Sequence, residues 1–361
     1  MNKQENPSST VAPAFAERNI AVFCSADSRY VLYCCVMLHS LIRHASQAWN
    51  YDLVVLEEEL SPADKQQIAS LAEGRANISI RFFNVSACMQ GHVFHVNETL
   101  TLATWYRIFA PSIFRQYEKV LYLDVDVIVL ADIAELYNVD MGENWLAGCS
   151  DLTQIAVVAR KGGAYLRDRV GVPPHSYVNA GVLLFNICQM NRYHVEHKCI
   201  EAAQRYHFES HDQDTLNHVC AGHVLLLDQA WNVFPARGFE AHVPGESLRL
   251  WQAARQTPRI IHYVMDKPWA DPLSDEAGRW WAEAARTPYH ETLLRSHLLS
   301  LLDDAMNATR NRWKYEWLRV LTLCTWGQLR ADLTSSKRCL RMRLHRVRRW
   351  RAQLAQYRRK G

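Results

Sequence analysis

The sequence has no run of eighteen uninterrupted apolar residues, the length a helix needs to cross a bilayer, so no segment is expected to span a membrane. Met1 to Ile20 are rich in Ser, Pro, Asn and charge and lack the apolar core of a secretory signal, so residues 1–18 read as a disordered extension. These two absences together point to a cytoplasmic protein. The ten cysteines, at 24, 34, 35, 88, 149, 188, 199, 220, 324 and 339, form no Cys-x-x-Cys and keep no repeating spacing. That excludes the common dithiol and zinc motifs and leaves free core thiols, Cys35 and Cys188 among them, as the expectation. No Gly-x-Gly-x-x-Gly or Gly-x-x-x-x-Gly-Lys-Ser/Thr follows the first strand-like segment, so dinucleotide and P-loop readings lose their main support. There is no internal repeat and no long low-complexity tract.

With 361 residues, 49% hydrophobic and 22% charged, the chain can bury a large core in one large domain or two. Asn19 to Cys24 reads as a first strand. Tyr30 to His44 carries helix-spaced apolar residues, and Tyr51 to Leu56 is a second strand. Ser61 and Pro62 supply a cap and a first-turn proline for the next helix, and Ile78 to Phe83 is a third strand. This β-α-β-α-β alternation predicts a Rossmann-like α/β half that binds a nucleotide.

The most informative stretch is Lys119 to Val129, an apolar run carrying Asp124 and Asp126 near its middle. A buried carboxylate is costly unless it is paired or holds a metal. Read as one strand, the run puts residues i and i+2 on one face, so both aspartates offer hard oxygen ligands side by side to a divalent cation. Such a cation commonly bridges a phosphate-bearing substrate, which would stand in for the missing glycine-rich cradle. Two nearby carboxylates also occur in glycosidases, but a hydrolase has no need of a metal pair here.

Six segments taken in order give the chain a resemblance to glycosyltransferase family 8. They are the first strand with Ser25 and Asp27; Thr104-Trp105-Tyr106-Arg107; Leu121 to Asp126; Asn179-Ala180-Gly181 running to Asn186; His211-Asp212-Gln213-Asp214-Thr215-Leu216-Asn217; and Ile261-His262-Tyr263 leading to Lys267-Pro268-Trp269. The resemblance is strongest to bacterial lipopolysaccharide and lipooligosaccharide α-galactosyl- and α-glucosyltransferases. It covers about Ile20 to Trp281 and implies a GT-A-type mixed sheet flanked by helices, with a catalytic domain over 19–290.

The resemblance further implies that Asp124, Asp126 and His262 ligate manganese, or magnesium in its place, and that Lys267 sets a compact charge near the phosphates. Ser25 and Asp27 would meet the nucleoside of UDP-galactose or UDP-glucose, and Arg107, Val125 and Ala180 the rest of the donor. Asp151, Asn179, Asp212 and Gln213 would gather around the hexose, Gln213 nearest the anomeric carbon and Asp214 capping a helix that begins near Thr215. Transfer would retain configuration, the departing phosphate helping to deprotonate the acceptor hydroxyl. The family pattern His-x-x-Gly-x-x-Lys-Pro-Trp is one residue shorter here, and Val264-Met265-Asp266 contains no glycine. That loss of a close backbone approach to the diphosphate leaves a weakly active nucleotide-sugar-binding partner as the alternative.

From Asn311 to Gly361 there are fifteen Lys or Arg against Glu316 and Asp332, a net +13 in a chain of net +4, so the preceding 310 residues carry −9. Trp and Leu interleave with the arginines. Residues 291–361 therefore read as a helical, basic amphipathic tail suited to an anionic membrane surface, where a glycolipid acceptor would be met. A nucleic-acid partner is not expected, because the body is acidic and carries no nucleic-acid motif. Acceptor contacts are expected in loops 162–176 and 236–246.

Overall fold

The structure is a computed structural model that describes residues 10–95, 101–235 and 243–300. The chain forms two compact units, Met1–Val264 and Met265–Gly361. The first unit opens with strand β1 (Asn19–Ser25), helix α1 (Val31–His44), β2 (Asn50–Glu57), helix α2 (Pro62–Ala69) and β3 (Ile78–Asn84). The strands and α1 begin and end within a residue or two of the sequence reading, and α2 begins where it was expected. Ser61 caps α2 as expected, its side chain accepting from Asp64 N–H while Asp64 takes Ser61 N–H in return. Next come β4 (Lys119–Leu123), β5 (Val127–Val129), β6 (Leu146–Ser150), β7 (Val178–Asn186), β8 (Val224–Leu226) and β9 (Ile260–His262).

Seven strands form one mixed sheet in the order β3-β2-β1-β4-β7-β6-β8, and β5 pairs with β9 in a separate ribbon. Strands β1 to β4 run parallel, while β7 is antiparallel to both β4 and β6. Strands β1, β2 and β7 are buried along nearly their whole length, as strands covered on both faces are. Phe23 on β1 anchors the core against Phe114, Tyr122 and Phe185, at ring separations of 5.0, 5.0 and 5.7 Å. The strand order reverses at β1, so the carboxyl ends of β1 and β4 lie side by side and open the crevice where such sheets bind ligands.

Three expectations change. The run from Lys119 to Val129 is two strands, broken by a turn at Asp124 to Asp126, and its halves belong to different sheets. The carboxylates stand where β4 runs out, the ligand-binding end of such a sheet as expected, but a turn presents them in place of one continuous strand. Residues 10–18, expected as part of a disordered extension, lie against the domain: Val11 N–H donates to Ile113 C=O at 2.8 Å, and Ala14 N–H to the Asp52 carboxylate at 2.9 Å. Buried Asp52 is balanced by Arg81 at 2.7 Å and by Tyr117 O–H. The described cysteines are free as expected, but Cys188 is exposed.

The second unit, over its described residues, holds Trp280 and Trp281 fully buried on the helix Ala277–Ala284, with Trp269 packed on Trp280. Residues 290–300 are helical. No helix among the described residues is long and apolar enough to cross a membrane. The remainder of the basic tail lies outside the described residues, as do residues 236–242 of the second expected acceptor loop.

Candidate active site

Asp124, Asp126 and His262 come together, with one ligand atom from each lying within 4.8 Å of the others. The turn after β4 supplies the two carboxylates and the end of β9 supplies the imidazole. The β5–β9 ribbon sets the distance: Val127 pairs with His262, and Tyr263 N–H donates to Asp126 C=O at 3.0 Å. His262 Nε2 stands 3.2 Å from Asp126 Oδ1 and 3.6 Å from Asp124 Oδ2. Asp124 Oδ1 is already engaged, accepting from Tyr122 O–H at 2.6 Å and Arg107 Nη2 at 3.0 Å. That leaves Oδ2 turned toward the imidazole. Gly181 on β7 makes room for the cluster, since a Cβ there would fall 2.1 Å from His262 Cε1 and 2.7 Å from Asp124 Oδ2.

A relay starting from a backbone amide fixes the imidazole. Gly181 N–H donates to Asn179 Oδ1 at 3.0 Å, so that atom is an acceptor. Asn232 therefore gives it an Nδ2–H at 2.9 Å and turns its own Oδ1 to His262 Nδ1, also at 2.9 Å. His262 must donate from Nδ1, and its Nε2 faces the two carboxylates. Two carboxylate oxygens and an imidazole nitrogen at this spacing are the donor set of a divalent-cation site, and they fit manganese or magnesium.

Beside the cluster lies a second polar network. Asp151 caps the helix Leu152–Lys161 with Oδ1, taking the N–H groups of Thr153 and Gln154, and its Oδ2 accepts from Asn179 Nδ2 at 3.2 Å and Gln213 Nε2 at 2.9 Å. Gln213 Oε1 accepts from Ala180 N–H at 2.9 Å. Asp212 is buried with its carboxylate 3.2 Å from Arg107 Nε. Burial pushes its carboxyl up to about 6 and nearby Asp124 adds to this, while Arg107 pulls the other way. The helix carrying these groups is His211–Val219, four residues earlier than expected, so Asp212 and Asp214 both sit in its first turn. Asp214 is not the cap: it lies inside the helix and accepts Ser210 N–H at 2.7 Å, and Ser210 holds the N-cap position.

A profile described as Glycosyl transferase family 8 matches residues 21–272. The chain belongs to that family. Among curated relatives, a Bacillus subtilis protein named General stress protein A is 23% identical over 253 residues, covering 68% of this chain and 85% of its own. The glycosyltransferase GlyE of Streptococcus pneumoniae is 29% identical over 178 residues, 48% of this chain and 38% of its own. A Haemophilus influenzae relative is 29% identical over 215 residues, and the chain spans 62% of its length. Among solved structures, the WbbM bifunctional glycosyltransferase aligns with TM-score 0.74 and 29% identity over 79% of this chain and 53% of its own. The galactosyltransferase LgtC, crystallised with donor and acceptor sugar analogues, aligns with TM-score 0.63 and 27% identity over 74% of this chain and 96% of its own. The mixed sheet is thus the GT-A-type fold of this family.

The remaining expected residues of this family 8 chain are less tightly clustered. Ser25 ends β1 with its Oγ buried and without a hydrogen-bond partner among the described residues, and Asp27 in the following loop pairs with Arg29 at 2.8 Å. Val125 is buried in the turn between the two aspartates. Ala180 bonds through both backbone groups, its C=O accepting from Arg107 Nη1. Arg107, expected to touch the donor, is almost fully buried: it lies over the Tyr122 ring at 4.1 Å and reaches Thr104 C=O, Asp124 and Asp212. Its described bonds make it the brace of Asp124. Lys267 belongs to the second unit, where its C=O accepts the N–H groups of Ala270 and Asp271. Asn232 and Tyr122 were missed as site residues. Tyr122 lies two positions before Asp124 in a strand-like run, a spacing that signals a shared side, whereas Asn232 carries no local signal.

Proposed function

We propose that this protein is a retaining α-hexosyltransferase that moves galactose or glucose from a UDP-sugar to a lipopolysaccharide or lipooligosaccharide core acceptor at a membrane surface. The observation that carries the reading is the convergence of Asp124, Asp126 and an Nδ1-protonated His262 in a crevice shaped by Gly181. The likeness to a galactosyltransferase crystallised with donor and acceptor sugar analogues supports the substrate class. A divalent cation held by these residues would supply Lewis-acid neutralisation of the departing diphosphate.

The chain's own residues then have separate tasks. Arg107 and Tyr122 hold Asp124 in place. Asn232 keeps the His262 Nε2 toward the carboxylates. Asp151, Asn179 and Gln213 form an ordered polar wall that can read hexose hydroxyls by direction, and such a wall rejects the wrong epimer because its own groups would be left unpaired. Ser25 offers an unsatisfied hydroxyl at the switch point of the sheet, where a nucleoside would lie. The basic residues of 311–361 would draw the enzyme to anionic lipid and so to its acceptor.

Purified protein with manganese and UDP-galactose or UDP-glucose should release UDP, faster with a glycolipid acceptor, and Asp126→Ala should abolish release while the fold survives. Tight UDP-sugar binding without turnover would instead identify a binding partner of other glycan-assembly enzymes. Near-normal turnover by Asp126→Ala in metal-depleted buffer would remove the metal-assisted reading.

A further inference from the structure

Asp214 is fully buried, a position where a carboxylate persists only if its oxygens are satisfied. Besides Ser210 N–H it receives two phenols: Tyr177 O–H on Oδ1 and Tyr165 O–H on Oδ2 at 2.7 Å. Each phenol therefore spends its only proton on Asp214 and can act elsewhere only as an acceptor. The two differ in what they accept. Tyr165 takes the backbone N–H of Glu209 at 2.8 Å, whereas Tyr177 takes Gln213 Nε2 at 3.0 Å.

That difference matters at the polar wall. The carbonyl end of the Gln213 amide is pinned by Ala180 N–H at 2.9 Å and by Asn179 Nδ2 at 3.2 Å. Its amino end has two N–H groups, one on Asp151 Oδ2 at 2.9 Å and one on Tyr177. With both ends held, the amide has no rotation left, and it carries Asp151 and Asn179 with it. Removing the Tyr177 hydroxyl leaves one N–H without its acceptor, so the amide is held by three bonds instead of four and its direction is less sharply set.

We infer that Tyr177 and Asp214 are positioning residues of the hexose subsite, acting through Gln213 to set the directions in which Asp151 and Asn179 meet sugar hydroxyls. This rests on the hexosyl-transfer reading above. The couple touches the hexose side only, so it should govern the sugar and leave UDP alone.

The test pairs Tyr177→Phe with Tyr165→Phe in the full chain. Both remove one phenol that donates to Asp214 and accepts one N–H, so both should lower the melting temperature to a similar extent. UDP affinity in the presence of manganese is measured by calorimetry, and kcat and KM are measured for UDP-galactose and UDP-glucose. For Tyr177→Phe the expected result is unchanged UDP affinity, a roughly tenfold loss of kcat/KM on the preferred donor, and a narrower preference between the two epimers. Tyr165→Phe should match wild type in all three. If Tyr177→Phe does not fold, Asp214→Asn, which keeps the volume, should show the same split between UDP and UDP-sugar. Equal donor kinetics in the two phenylalanine variants, or UDP and UDP-sugar weakened alike, would overturn the inference. A wild-type protein that releases no UDP from either donor would remove the transfer reading itself, and this inference with it.

Discussion

Gly181→Ala is the sharpest probe of the proposed metal site, because it adds one methyl group and no charge. The new Cβ would lie 2.1 Å from His262 Cε1 and 2.7 Å from both His262 Nδ1 and Asp124 Oδ2. Carbon atoms come to rest at about 3.5 Å or more, so the ring must retreat by roughly 1.4 Å. It has little freedom to do so. Nδ1 is tied to Asn232, the backbone is paired through β9, and β7 beneath Gly181 is buried along nearly its whole length. Ligand distances in a metal site tolerate only about 0.2 Å, so the displaced imidazole ceases to ligate. Overpacking of this kind costs about 1–3 kcal/mol, which a domain of this size survives with a melting temperature lowered by several degrees. Manganese binding, titrated by electron paramagnetic resonance with UDP present, should weaken at least about 100-fold, and UDP release should be lost in parallel. A folded Gly181→Ala protein that binds manganese and UDP within a few-fold of wild type would refute the assignment of these three residues as the ligand set.

Three further outcomes are expected, two from the same geometry and one from the charge of the tail. Asn232→Leu removes the acceptor that holds the His262 Nδ1 proton, and should weaken manganese binding about 10–100-fold with little change in a far-ultraviolet dichroism spectrum. Asp212 has its folded value near 6 against an ordinary 3.8, so the folded chain keeps the proton between these values where the unfolded chain has lost it. Folding stability from this group therefore falls as pH rises from about 4 to about 6 and is level above, and Asp212→Asn should gain stability relative to wild type across that window in urea melts. Deleting residues 311–361 should release the protein from anionic vesicles in a sedimentation assay while it keeps activity on a short soluble acceptor; unchanged sedimentation would count against a membrane role for the tail.

Much of the amino-terminal half of the sheet could be read directly from the chain. Asn19 to Phe83 alternates buried strands and helices with Ser61-Pro62 at a helix start, signals that are local in sequence and set by hydrophobic period and capping. Asp124 and Asp126 stood out because carboxylates in an apolar run need a reason. The error there was geometric. Periodicity describes a continuous strand and cannot see that Asp124 to Asp126 break the run, since the decision belongs to two partners far along the chain: β7, which takes β4, and β9, which takes β5.

Arg107 shows the same limit from the other side. An arginine in a motif marks a candidate donor contact, and only packing adds that it also lies against Tyr122, Asp124 and Asp212. Asn232 lies 53 residues from Asn179 and 30 from His262, so no window of sequence could assign it the task of choosing a tautomer. Sequence by itself determined which residue types bear charge and oxygen donors, and where strands and helices alternate, because those follow from composition and short-range period. Tertiary structure alone decided which carboxylate oxygen stays open, which imidazole nitrogen faces it and why position 181 admits no side chain, because each depends on atoms a few ångströms apart in space and tens of residues apart in the chain.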